Sequence, residues 1–242
     1  DHRDLHYPLR RQRQMCIRDS TRDGERFTPN GEGEVVLDSG TYEAFPLPKY
    51  ASEMLNSNYK SYFVEVEPGL KVHVLETGKG FPVFLMHGNP TSGFLYRKVV
   101  ENLPLDKVRV IMPTSIGLGF SSKIPASEHT LNNHILWIKK VLEELELTEL
   151  VYAGQDWGGP MGMGALSLSP NLLKGAVLLN TGFSAPTINT DISPAHAIVK
   201  TPLVGELILE VFFSIFERLG RVQGDPASVS YTHLTLPTKR IV

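Results

Sequence analysis

The chain has 242 residues, enough for one large domain or for one domain with an inserted subdomain. A hydrophobic content of 41% and a charged content of 21% fit a soluble globular protein, and a net charge of -2 gives no electrostatic reason to expect nucleic acid or an anionic membrane as a partner. The single cysteine, Cys16, excludes an internal disulfide, and the longest apolar stretch, "LILEVFFSIF", is broken by Glu210 and is too short to span a bilayer, so a cytoplasmic protein is expected.

In chain order, the opening "DHRDLHYPLRRQRQ" is basic and nonperiodic, and the "TRDGERFTPNGEGE" that follows is polar, so a packed start is not expected. The stretch "QMCIRDS" and the terminal "VSYTHLTLPTKRIV" resemble translated sequencing-adaptor read-through, which puts the biological segment between about Thr21 and Ser228, cut at both sides. Four domain-level segments are expected: an N-terminal extension over 1–58, partly artefactual or disordered, a core over 59–180, a partial helical cap over 181–220 and a non-native-looking tail over 221–242.

The middle alternates strand and helix signals. Ser61–Val66 and Leu70–Glu76 show the period of two expected of strands, split by the turn residues "EPG". "PVFLM" (Pro82–Met86) and "VRVIM" (Val108–Met112) are short, nearly all-apolar runs, as in strands buried on both faces. "TLNNHILWIKKVLEEL" sets Leu131, Ile135, Ile138, Leu142 and Leu145 on one helical face. "LVYAG" reads as a further buried strand, "GPMGMGALSL" as a closely packed helix and "KGAVLLN" as another strand. Strand, helix, strand, helix in this order is an α/β fold with a mostly parallel sheet. Chemistry on such sheets collects beyond the carboxyl ends of the strands.

Asp156 falls at one of those ends, in "GQDWGG" between "LVYA" and its helix. Taken alone, an aspartate there reads as a helix cap. A G-x-nucleophile-x-G turn between strand and helix offers the other reading, in which a strained backbone holds the side chain above the sheet. Two further motifs at strand ends, "HGNPTSGFLYR" after Pro82–Met86 and "PTSIGLGFSS" after Val108–Met112, favour the nucleophile.

On "HGNPTSGFLYRKV", "GLGFSSK" and "GQDWGGPMG", residues 59 to about 220 resemble the α/β-hydrolases, and among them the haloalkane dehalogenases; "GxDWG" also occurs in epoxide hydrolases and fluoroacetate dehalogenases. The resemblance implies Asp156 as nucleophile, Asn89 and Trp157 as halide-stabilising donors whose backbone N–H groups form the oxyanion hole, and a small-molecule substrate; without an HExxH, CxxC or phosphate-loop pattern, neither metal nor organic cofactor is expected. Thr114 departs from the family pattern, which has aspartate before the Gly-x-Gly turn.

The residue types suit that chemistry. A carboxylate is ionised at neutral pH and can displace a halide without a base, whereas hydrolysis of the resulting ester needs one. In the family the base is a histidine after the last strand, oriented by an acid; no such pair is found, because His196 falls at the start of the cap, His233 falls in the tail, and Asn180 stands where some dehalogenases have the acid. The C-terminal strands are therefore expected to be missing and this chain to be a fragment that does not turn over. Of the other histidines, His87 is read as a structural hydrogen-bonding residue, His73 as strand surface, His129 as loop and His134 as helix surface. Two alternatives stand beside a haloalkane dehalogenase: an epoxide hydrolase with the same Asp attack, and a noncatalytic binding module of the same fold. The cap portion lacks the tyrosines that an epoxide hydrolase would present.

Overall fold

A computed structural model describes residues 26–55 and 58–182. Both adaptor-like ends, most of the expected cap, His196 and His233 lie outside the described residues.

Eight strands and four short or medium α-helices make up the described part. Strands β1 (Glu34–Leu37) and β2 (Gly40–Glu43) form a small antiparallel hairpin. The main sheet contains β3 (Lys60–Glu67), β4 (Leu70–Gly78), β5 (Phe81–Met86), β6 (Val108–Pro113), β7 (Leu150–Gln155) and β8 (Leu173–Leu179), in the spatial order β3-β4-β6-β5-β7-β8. Its first two pairings, β3 with β4 and β4 with β6, are antiparallel, and the remaining three are parallel. Helices α1 (Lys49–Ser52), α2 (Arg97–Val100), α3 (Leu131–Glu144) and α4 (Gly158–Ser167) connect and cover these strands.

Strand alternation divides the core into two layers. Phe84, Met86, Ile111 and Val74 point to the layer filled by Trp137, Ile138, Val141 and Leu142 of α3 and by Met161 and Ala165 of α4. Their neighbours Leu85, Val110, Met112 and Leu75 point to the other layer, against Phe94, Tyr96 and Val100. The start of α3 is fixed by Thr130, whose side chain accepts the Asn133 N–H at 3.1 Å. Leu131 was expected on the buried face but is 43% exposed: it is the first residue of the helix and lies on the flank of a stripe centred on Trp137, Ile138, Val141 and Leu142.

The polar opening is packed from Arg26 onward, contrary to the expectation of no packed start. Phe27 and Lys123 exchange backbone hydrogen bonds at 2.9 and 2.7 Å, and Arg26 pairs with Glu67 and Glu128. Farther along, Val35, Leu37 and Tyr42 lie against one core layer, and Leu47, Tyr50 and Leu55 against the other.

This packing also corrects the reading of His73, which is fully buried rather than on a strand surface. The face of β4 that alternation leaves open is closed by Phe45 and Phe120, whose ring centroids lie 5.3 and 5.4 Å from the imidazole, with Phe63 at 5.9 Å.

Among the described residues β8 is the last strand and an edge of the sheet, and Val177, Leu178 and Leu179 are 52%, 40% and 45% exposed. No helix among the described residues is long and apolar enough to cross a membrane.

Candidate active site

Because β5 and β7 are paired neighbours, the loops leaving their carboxyl ends meet. Only Asp156 and Trp157 separate β7 from α4. So short a connection forces a sharp reversal, and Asp156 takes it with φ +53°, in the left-handed region that residues bearing a Cβ avoid. Both of its backbone groups are held. Its N–H donates to Leu179 O at 3.2 Å, and its carbonyl accepts from the Gly159 N–H at 3.0 Å and from the Thr181 hydroxyl at 2.7 Å.

The carboxylate faces the loop after β5, where the backbone N–H of Asn89 donates to Asp156 Oδ1 at 2.9 Å. Gly88 makes that approach possible, since a Cβ there would stand 2.3 Å from Asp156 Oδ1 and from its Cβ. The rest of this loop is anchored beneath the site: the Tyr96 hydroxyl donates to Met86 O at 2.8 Å, and the Thr91 hydroxyl to Gly88 O at 2.8 Å. Asn89 is exposed, and its peptide bond to Pro90 is cis. Trp157, at the N-cap position of α4, is 48% exposed, and its indole N–H has no hydrogen-bond partner among the described residues. Asn89 and Asp156 are thus joined through a backbone N–H, while Trp157 follows Asp156 in the chain.

His87 spans two loops. The Ser115 N–H donates to its Nε2 at 3.0 Å, so that nitrogen is the acceptor, and the proton on Nδ1 is given to Gly88 O at 2.8 Å. Burial pushes its pKa down to about 4, against the opposing influence of the Gly88 carbonyl and the Asp156 charge. A neutral ring with both nitrogens committed to backbone is a structural strut, not a base. The loop after β6 is knotted in the same way. Thr114, at the position where the family pattern has aspartate, accepts the Gly93 N–H at 3.1 Å through its hydroxyl. Its carbonyl accepts from the Ser121 hydroxyl at 2.6 Å.

His129 and His134 hydrogen-bond each other at 3.2 Å, and burial with the neighbouring His129 pushes His134 down to about 4. The helix-surface reading of His134 needs amending accordingly, since its ring also packs edge-on against Trp137 at 5.0 Å. Among the described residues there is no group of three or more side chains that could hold a metal ion. Sequence reasoning assigned nothing to Thr181; its only signal is a hydroxyl two residues beyond the apolar run that ends β8.

A family model described as alpha/beta hydrolase fold matches residues 82–214. Among curated proteins, the chain is similar to the cis-3-alkyl-4-alkyloxetan-2-one decarboxylase of Shewanella oneidensis, at 34% identity over 157 residues, which are 64% of this chain and 49% of the relative. It is also similar to haloalkane dehalogenase 2 of Mycobacterium tuberculosis, at 32% identity over 149 residues, 62% of this chain and 51% of that protein. The chain therefore spans about half the length of the curated relatives it matches. Among solved structures, a haloalkane dehalogenase from Agrobacterium tumefaciens aligns with a TM-score of 0.59 at 27% identity, covering 71% of this chain and 58% of the other.

Proposed function

We propose that this chain, which belongs to the α/β hydrolase fold family, uses Asp156 as a carboxylate nucleophile on small alkyl halides, in the manner of a haloalkane dehalogenase. The observation that carries this reading is the Asp156 carboxylate on a left-handed elbow with the Asn89 N–H 2.9 Å from its Oδ1. Similarity to named haloalkane dehalogenases supports it further.

In the first step a carboxylate oxygen of Asp156 forms a bond to carbon as the carbon–halogen bond breaks, and the halide leaves with the electron pair. The Trp157 indole N–H and the Asn89 side-chain amide receive the developing charge. In the second step water attacks the ester carbonyl, and the backbone N–H groups of Asn89 and Trp157 hold the oxyanion. That step calls for a base, and among the described residues His87 is taken up by backbone bonds. The described residues by themselves are therefore expected to form the alkyl ester and not to hydrolyse it.

A second reading is supported by the oxetanone decarboxylase relative. The same carboxylate can open a strained lactone ring at its alkyl carbon, forming an ester and freeing the ring carboxylate. Loss of carbon dioxide then moves the electron pair of the broken carbon–carbon bond into a new double bond and expels Asp156 unchanged. No external base takes part in this sequence, so its turnover does not depend on one.

Intact-mass measurement after incubation with bromohexane, with Asp156→Ala as control, tests the first reading. One hexyl group on Asp156 with at most one equivalent of bromide is expected. A folded chain that neither acquires an adduct at Asp156 nor releases bromide overturns the dehalogenase reading, and multiple turnovers overturn the one-step limit. Alkene release from a dialkyl β-lactone would favour the second reading.

A further inference from the structure

We propose that Thr181 is a positioning residue for Asp156: it holds the elbow in its left-handed conformation from the far side, through the peptide rather than through the carboxylate. In its consequence for reactivity the proposal rests on the nucleophile reading of Asp156; in its geometry it does not.

A residue with a side chain stays at φ +53° only where its surroundings over-determine it. Two of the three hydrogen bonds on the Asp156 peptide groups come from one short segment at the end of β8, Leu179 to Thr181. Leu179 O takes the Asp156 N–H as the last rung between β7 and β8, and the Thr181 hydroxyl returns to the Asp156 carbonyl at 2.7 Å. Asn180, between them, has φ +42°. Asparagine tolerates that region better than other residues with a Cβ, and here it turns the chain so that the carbonyl before it and the hydroxyl after it both reach Asp156. In this chain the conformation of Asn180 gives it a local task.

The hydroxyl is set by packing as well as by its bond. Thr181 lies directly on Gly159: a Cβ at Gly159 would stand 1.9 Å from Thr181 Oγ1 and 2.8 Å from its Cγ2. The first turn of α4 and the end of β8 therefore close on each other with the hydroxyl between them. Asp156 is gripped on two sides, by Asn89 at the carboxylate and by Thr181 at the carbonyl. Loosening the second grip lets the peptide relax toward ordinary backbone geometry and swings the carboxylate away from the Asn89 N–H. Small misplacement of a reacting group costs up to about 100-fold in rate.

The test compares wild type, Thr181→Val, which keeps the shape and loses the hydroxyl, and Thr181→Ser, which keeps the hydroxyl. Rapid-quench mass spectrometry follows hexyl-adduct formation at several bromohexane concentrations, and hydrogen exchange follows the amides of residues 155–159. In Thr181→Val the limiting alkylation rate is expected to fall about 10- to 100-fold with an unchanged half-saturating concentration, and elbow exchange to quicken. Thr181→Ser is expected to recover both to within about threefold. Wild-type elbow exchange in Thr181→Val, or equal defects in the Val and Ser variants, overturns the proposal. If wild type forms no adduct at all, the nucleophile reading fails, and the exchange comparison alone decides whether Thr181 holds the elbow.

Discussion

The backbone N–H of Asn89 meets Asp156 Oδ1 at 2.9 Å across 67 residues of sequence, and the pairing of β5 with β7 brings the two together. An oxygen lodged on a fixed N–H is oriented before any substrate arrives, and several consequences can be measured.

Gly88→Ala should disable the site while sparing the fold. The new methyl would overlap the Asp156 carboxylate, standing 2.3 Å from Oδ1, so the carboxylate must leave the Asn89 N–H. Adduct formation with bromohexane is expected to drop by about 100-fold or more, with a much smaller change in the thermal midpoint. An alanine variant that alkylates at the wild-type rate would show that this contact does not set reactivity.

Trp157→Phe separates indole N–H donation from bulk. The chain has two tryptophans, and Trp137 is buried with its N–H on Glu67 at 2.7 Å, whereas Trp157 is 48% exposed. Bromide titration should therefore change the fluorescence of Trp157 in a saturable way, and Trp157→Phe should abolish that change. Alkylation should slow about 100- to 1000-fold in the same variant, the range for losing one donor to a developing anion. Saturable quenching that survives in Trp157→Phe would rule Trp157 out as a halide donor.

Stability should decline in mild acid. Burial pushes His73 down to about 3 from 6.5, helped by the charge of Lys123, and pushes His87 down to about 4. Below pH 6.5 the unfolded chain takes up protons at these positions while the folded chain does not. Stability is thus complete above about pH 6.5 and is lost as pH falls toward 4 and then 3, at up to about 1.4 kcal/mol per pH unit for each histidine. Urea midpoints measured between pH 7 and pH 4 should follow this slope, and His73→Gln should flatten it. A wild-type profile that is level over that range would contradict the burial of both rings.

The ion pair between the buried Glu76 and the part-buried Arg109 gives a test away from the site. Arg109 donates to both Glu76 oxygens, at 3.0 and 2.8 Å, and Tyr62 donates to the same carboxylate at 2.7 Å. Arg109→Met leaves that carboxylate enclosed without its cation and should cost about 3–5 kcal/mol in urea unfolding. Glu76→Leu combined with Arg109→Met should recover most of the loss. If the double variant is no better than the single one, the penalty lies in packing rather than in an uncompensated charge.

Much of this protein is legible along the chain because the signals are local. Period-two alternation marks β3 and β4, nearly all-apolar runs mark β5 and β6, a 3.6-residue period marks helix α3, and the glycines around Asp156 mark a reversal between a strand and a helix. Hydrophobic spacing depends on which face a residue presents, and neighbouring residues fix that. What the sequence left open was which loops would meet. The strand order sets β7 between β5 and β8, which brings Asn89 to the carboxylate of Asp156 and Thr181 to its carbonyl. The same long-range packing encloses His73, which alternation alone assigns to the surface, because Phe45 and Phe120 arrive from segments on either side of its strand. Residue identity and spacing determine the elements and the elbow; the contacts that hold the elbow join segments far apart in sequence, and only the folded sheet decides them.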